Sequence, residues 1–170
     1  MIGRTVFLSI MTTLILFGAG CSQQKLNERD VKRNQEVASA EALRAEYLQV
    51  AGVYDGELLG TDGYRQDVIL RIAVQDVPVV VEGQTDPILT PKLTGSLRFL
   101  LGNEDAGEYT DAAIDSAEYI SSRKQLNLVV NHSQFSKMIL NSTHNEPTLS
   151  GNWSAASVGI SGTSTLQRRL

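Results

Sequence analysis

The chain has 170 residues, 15 basic and 19 acidic side chains, 42% apolar content, a formal net charge of −4 and a single cysteine. That length suits one domain with an appendage, and one cysteine excludes both an internal disulfide framework and a multi-cysteine metal site. The mildly acidic balance argues against a nucleic-acid binder, which needs a basic surface.

The first element is a targeting segment. Arg4 and the free amine make a positive start, Thr5 to Phe17 runs thirteen residues without charge, and Gly18-Ala19-Gly20 brings small residues up to Cys21. A positive start, a short apolar run and small residues are the physical signature of a secretory signal. The uncharged run of sixteen residues to Gly20 is shorter than the roughly 20 of a spanning helix.

The segment Leu16-Phe17-Gly18-Ala19-Gly20-Cys21 resembles the lipobox of bacterial lipoproteins, with Gly18 where that family favours leucine. The resemblance implies cleavage before Cys21, which then carries a thioether-linked diacylglycerol and an amide-linked acyl chain of the palmitate kind. Residues 1–20 are then a signal peptide, and membrane lipid becomes a partner through Cys21. Ser22, which follows the cysteine, leans towards the outer rather than the inner membrane by resemblance to enteric lipoproteins. No other cofactor is expected.

Residues 21–50 read as a helical or flexible tether. From Ser22 to Gln49 there is no glycine or proline, and five basic residues balance five acidic ones. Most of the residue types favour helix, and Val37, Ala40, Leu43 and Tyr47 form an apolar stripe at helical spacing. As a helix this segment would span about 42 Å.

From Ala51 the pattern changes to glycine-punctuated alternation. Arg65 to Val74 sets Val68, Leu70, Ile72 and Val74 on one face, and Gln125 to Asn131 repeats the habit. Further strands are expected at 52–60, 92–101, 108–121, 134–142, 147–155 and 157–168, separated by turn signals such as Thr61-Asp62-Gly63 and Asn145-Glu146-Pro147. Residues 51–170 are therefore expected to form an all-β domain, an antiparallel barrel or sandwich of about eight strands. Strands 108–121 and 134–142 alternate poorly. Lys137 shares parity with Phe135 and Ile139, so the buried face there stays open and a bulge is allowed. The motif apolar-x-Gly-x-apolar occurs around Gly56, Gly95 and Gly151, with a relative around Gly162. Each glycine shares the parity of its apolar neighbours, which fits a sheet that bends sharply to close.

Gly151-Asn152-Trp153 is similar to the Gly-x-Trp of calycins, the lipocalin and avidin group of antiparallel barrels. In lipocalins that motif opens the first strand, and an arginine near the end of the barrel packs on the tryptophan. Here it stands near the C-terminus, with Arg168 or Arg169 as the corresponding arginine. The resemblance implies a barrel-like form, not membership.

Chemistry-bearing motifs are sparse. His132 and His144 stand at strand ends among Asn, Ser and Thr, and there is no second cysteine, zinc-binding helix motif, nucleophile elbow or P-loop. Glu104, Asp105 and Glu108 head an acidic stretch without the ligand spacing of an EF-hand, and are weak metal candidates. They also serve, with Ile88 and Leu89 in the segment Glu82 to Pro91, as candidate partner or ligand loops. That segment reads either as a functional loop or as an apolar plug over one end of a barrel. The sum is a membrane-anchored envelope lipoprotein whose β domain is a non-enzymatic binding or scaffolding module for an envelope protein. The alternatives are a calycin-like carrier of a small apolar ligand and a hydrolase on a β scaffold.

Overall fold

The computed structural model describes residues 3–81, 86–100 and 109–169, with side chains from residue 27 onward. Among these residues the order is α1 (Gly3–Val50), β1 (Gly52–Gly60), β2 (Arg65–Val79), β3 (Ile88–Leu100), β4 (Tyr109–Ile120), a 3-10 turn at Ser121–Arg123, β5 (Gln125–His132), β6 (Ser136–Asn145), β7 (Thr148–Ala155) and β8 (Ile160–Arg168). Each strand neighbours the next in sequence, and β8 returns to pair antiparallel with β1 from Tyr54↔Arg168 to Gly60↔Gly162. The sheet is thus a closed eight-stranded antiparallel barrel, which settles the choice between barrel and sandwich and leaves no free edge in its wall.

The chain forms two compact units, one of Met1–Ala40 with Pro78–Leu89 and the other of Glu41–Val77 with Thr90–Leu170. In the smaller unit Arg33 lies 3.5 Å from Asp86, and Lys32 meets Glu36 one helical turn on at 4.0 Å. Ile88 is buried there, whereas Leu89 and Val80 are exposed.

The larger unit holds the barrel and its core. Trp153, Tyr54, Met138 and nine leucines are each less than 2% exposed. An eight-stranded barrel is just wide enough for side chains to fill, and burying each leucine contributes about 1.5–3 kcal/mol. The inward residues expected from alternation, Leu70, Ile72, Leu97, Phe99, Leu126, Leu128 and Trp153, are all in this core.

The last two turns of α1 belong to the same unit. Val50 is fully buried in the core cluster and Tyr47 packs against it. The Tyr54 hydroxyl donates to the Val50 carbonyl at 3.0 Å, and the Arg168 guanidinium donates to the Ala51 carbonyl. Those contacts satisfy carbonyls that a helix end leaves open and set a cation against its negative pole. Opposite this mouth, Tyr64 meets Phe135 edge-on at 6.1 Å and Trp153 at 5.8 Å, making an aromatic floor.

Several details differ from the sequence expectation. Val37 is exposed, and the half-buried side of α1 runs through Glu36, Ala40, Leu43 and Tyr47 to buried Val50. Strand β2 continues past Val74 to Val79, and within that extension Asp76 forms an ion pair with Arg44. Strand β3 begins at Ile88, four residues before the expected start, so residues 88–91 are strand rather than loop or plug. A register shift between Ile114 and Ser116 explains the poor alternation of β4. In β6 the inner row is Met138, Leu140, Ser142 and His144, with Lys137 and Ile139 outside.

Candidate functional site

Both histidines point into the barrel, one near each mouth. His132 ends β5, where its ring lies 4.4 Å from Phe99 and stacks on Phe135 at 4.7 Å. Its Nδ1 accepts the backbone N–H groups of Gln134 at 3.1 Å and Phe135 at 3.3 Å, so the imidazole closes the β5–β6 turn. Burial pushes its pKa below the ordinary value. A neutral Nδ1 is what those two donors require, since a protonated nitrogen would face N–H with N–H.

His144 ends β6 near the other mouth, buried and edge-on to Tyr119 at 6.1 Å. Its Nε2 has no partner among the described residues. It lines a pocket of about 310 Å³ with Tyr119, Lys124, Glu146 and Arg168. Burial lowers its pKa first; the positive charges of Arg168 and Lys124 add to that, while Glu146 opposes them. Arg168 is already engaged, with Glu146 at 3.1 Å and with the Ala51 carbonyl.

Both imidazoles therefore hold folded-state pKa values below their ordinary 6.5. Acidification protonates the unfolded chain before the folded one. The stability contributed by the neutral rings is complete above pH 6.5 and is lost as pH falls through the folded-state values. Urea unfolding is expected to show a lower midpoint at about pH 5.5 than at about pH 7.5. His132→Asn should weaken that dependence, and an unchanged slope would contradict the turn-closing role.

No protein-family model, curated protein or solved structure matches this chain.

Arg168 lies over the Tyr54 ring at 5.6 Å, whereas Trp153 packs on Tyr64 towards the opposite mouth. Neither histidine bonds to a carboxylate or a serine hydroxyl among the described residues.

Glu104, Asp105 and Glu108 lie outside the described residues, as does the side chain of Cys21, whose backbone is part of α1. Of the acidic stretch that follows, Asp111 is engaged by Arg98 through two hydrogen bonds of 2.8 and 2.9 Å. That guanidinium sits 3.7 Å above the Tyr109 ring and holds the Asp111 carboxyl below its usual range. Among the described residues no three potential metal ligands come together. Of the loop candidates, Ile88 is buried and Leu89 is exposed, both at the start of β3.

The outer wall has two contrasting halves. On β8, β1 and β2 a concavity of about 570 Å³ is lined by Asp55, Glu57, Arg65, Asp67 and Arg169. Its charges largely neutralise one another, with Arg169–Asp55 at 2.7 Å and Arg65–Glu57 at 2.8 Å. Such exposed pairs contribute about 1 kcal/mol or less.

On β5 to β8 the outward positions carry amides and hydroxyls apart from the paired Val129 and Ile139, and Lys137 is their sole ionisable side chain. Register aligns Asn127, Asn141, Asn152 and Thr163 in one cross-strand row, beside a second row of Gln125, Thr143, Ser150 and Thr165. A shallow concavity of about 330 Å³ lies on this half, with Thr61, Asn141, Asn152, Ser154, Ser161 and Thr163 around it. Sequence reasoning missed this face. The signal was present as Asn, Ser and Thr at alternate positions within 141–145, 148–154 and 161–165, but it needed the parity of each strand to be read.

Proposed function

We propose that the protein is a lipid-anchored envelope module, tethered through acylated Cys21 by α1, that works non-enzymatically through the outer surface of its barrel. The observation that carries this reading is the filled interior. Twelve of the largest side chains are fully buried inside, the turns of α1 from Glu41 cover one mouth, and aromatic rings line the other. A wall whose inside is occupied by its own side chains leaves the outside and the loops for recognition. Among the described residues no helix is long and apolar enough to cross a membrane, and lipid on Cys21 would supply attachment: two or more acyl chains hold a protein stably, at about 0.8 kcal/mol per buried methylene. By resemblance the membrane is the outer rather than the inner one.

Mass spectrometry of the mature N-terminus tests the anchor. The expected product is a peptide beginning at Cys21 with diacylglycerol and an N-linked acyl chain. An unmodified Cys21 in the membrane-associated protein would overturn it.

One observation favours the carrier reading. Ser164 Oγ and Trp153 Nε1 join His144 Nε2 as buried polar atoms without a partner among the described residues. All three belong to inward positions of β6, β7 and β8, where an enclosed ligand with hydrogen-bonding groups would satisfy them. Native mass spectrometry of the chain purified without denaturation would show such a ligand as a discrete added mass.

A further inference from the structure

We propose that the outer face of β6 to β8, centred on Asn141, Asn152 and Thr163, binds an uncharged polyhydroxylated chain, a neutral glycan. The proposal deepens the surface-module reading and rests on it.

The first argument is unspent hydrogen-bonding capacity. Asn127, at the β5 end of the row, accepts from Gln125 and donates to Glu118. The side chains of Asn141, Asn152, Ser154, Ser161 and Thr163 make no hydrogen bond among the described residues, and Asn141, Asn152 and Thr163 are exposed. Each amide offers donors and acceptors together, and each hydroxyl offers both at one atom. A ligand made of hydroxyls has the same dual character.

The second argument is charge. An anionic ligand or a nucleic acid would need cations, which the outward positions of β6 to β8 lack apart from Lys137 near one mouth. Protein-binding hot spots are enriched in tryptophan, tyrosine and arginine; the outward positions of β6 to β8 carry none of these, and the tryptophan of this sheet faces inward. The apolar side chains bordering the face are Ile139, paired in register with Ser154, and Leu59, paired with Thr163. Both are partly exposed, at 42% and 40%, and can cover the C–H face of a sugar ring.

The third argument is shape and spacing. The concavity of about 330 Å³ lies at the lower end of the roughly 300–1,000 Å³ of small-molecule sites, enough for a short run of sugar rings. Neighbouring strands stand about 4.8 Å apart, close to the length of one pyranose unit. The row from Asn127 to Thr163 therefore crosses roughly 14 Å of wall and can follow consecutive residues of one chain.

The test uses the full chain in a detergent without a sugar headgroup. It is applied to an array of neutral glycans (chitooligosaccharides, β-1,4-glucans, mannans, galactans) with heparin and polygalacturonate as anionic arms. Binding to at least one neutral class is expected. Asn141→Ala with Asn152→Ala, both at exposed positions and checked for folding by circular dichroism, should weaken it roughly tenfold or more. Thr163→Val, nearly isosteric, should weaken it less. No binding to any neutral class, binding confined to the anionic arms, or full affinity in the double variant would each overturn the proposal. Acylation of Cys21 is read separately from the N-terminal mass, so the anchor and the glycan face stand or fall independently.

Discussion

Gly162→Ala is expected to destabilise the barrel by about 3 kcal/mol or more, the upper end of the overpacking range. A methyl group on Gly162 would lie 1.8 Å from the Leu59 carbonyl oxygen and 2.8 Å from the Gly60 Cα. These are backbone atoms of β1, held in place by the ladder that joins β8 to β1. No rotamer change relieves the clash, so one strand has to move where the barrel closes. Gly159, three residues earlier, provides the control. Its φ of +70° is left-handed, yet nothing lies within 4 Å of an added Cβ. Asparagine tolerates that backbone region, so Gly159→Asn should change stability by about 1 kcal/mol or less. Urea unfolding of the two variants separates a glycine needed for space from one needed for its backbone angle. Equal and small effects would mean that β8 and β1 are not as closely apposed as described.

The same comparison shows how much of the fold was legible. Gly56, Gly95, Gly151 and Gly162 share the parity of apolar neighbours, and that pattern alone pointed to a sharply bent sheet. The structure places a neighbouring strand's carbonyl oxygen within 2.0 Å of where each side chain would begin. Alternation in Arg65 to Val74, softened by Ile69 and Ala73, likewise marked the inner row Val68, Leu70 and Ile72, although Ile69 on the opposite face is buried too. Legibility failed at strand ends and at a bulge. Alternation was read from Arg65 to Val74, yet β2 runs to Val79, with Asp76 of the extension paired to Arg44 of α1. The shift at Ile114/Ser116 reversed parity within β4, and no residue type there announces it.

The candidate site was less legible than the fold. In the sequence His132 and His144 stand only as histidines at strand ends, while the structure makes one a turn acceptor and the other a buried ring beside Tyr119. Exposed Asn, Ser and Thr read individually as ordinary strand surface. Only register shows that Asn141, Asn152 and Thr163 are neighbours. Apolar positions are marked by the hydrophobic effect, which is strong and periodic, whereas a neutral polar face has no comparable signature along the chain.

Anchorage carries the largest expected effect of any single substitution. Acyl chains attached at Cys21 would insert tens of methylenes into the bilayer, at about 0.8 kcal/mol each, and no other described feature offers comparable attachment. Cys21→Ala would remove the sulfur that the proposed acylation needs. The direct measurement is fractionation of cells expressing either form, with the membrane pellet washed at high salt and high pH before immunodetection. The wild-type chain should remain in the outer-membrane pellet, and the Cys21→Ala chain should be lost from it. Equal retention of the two forms, or recovery of the wild-type chain in the soluble fraction, would contradict a lipid-anchored module.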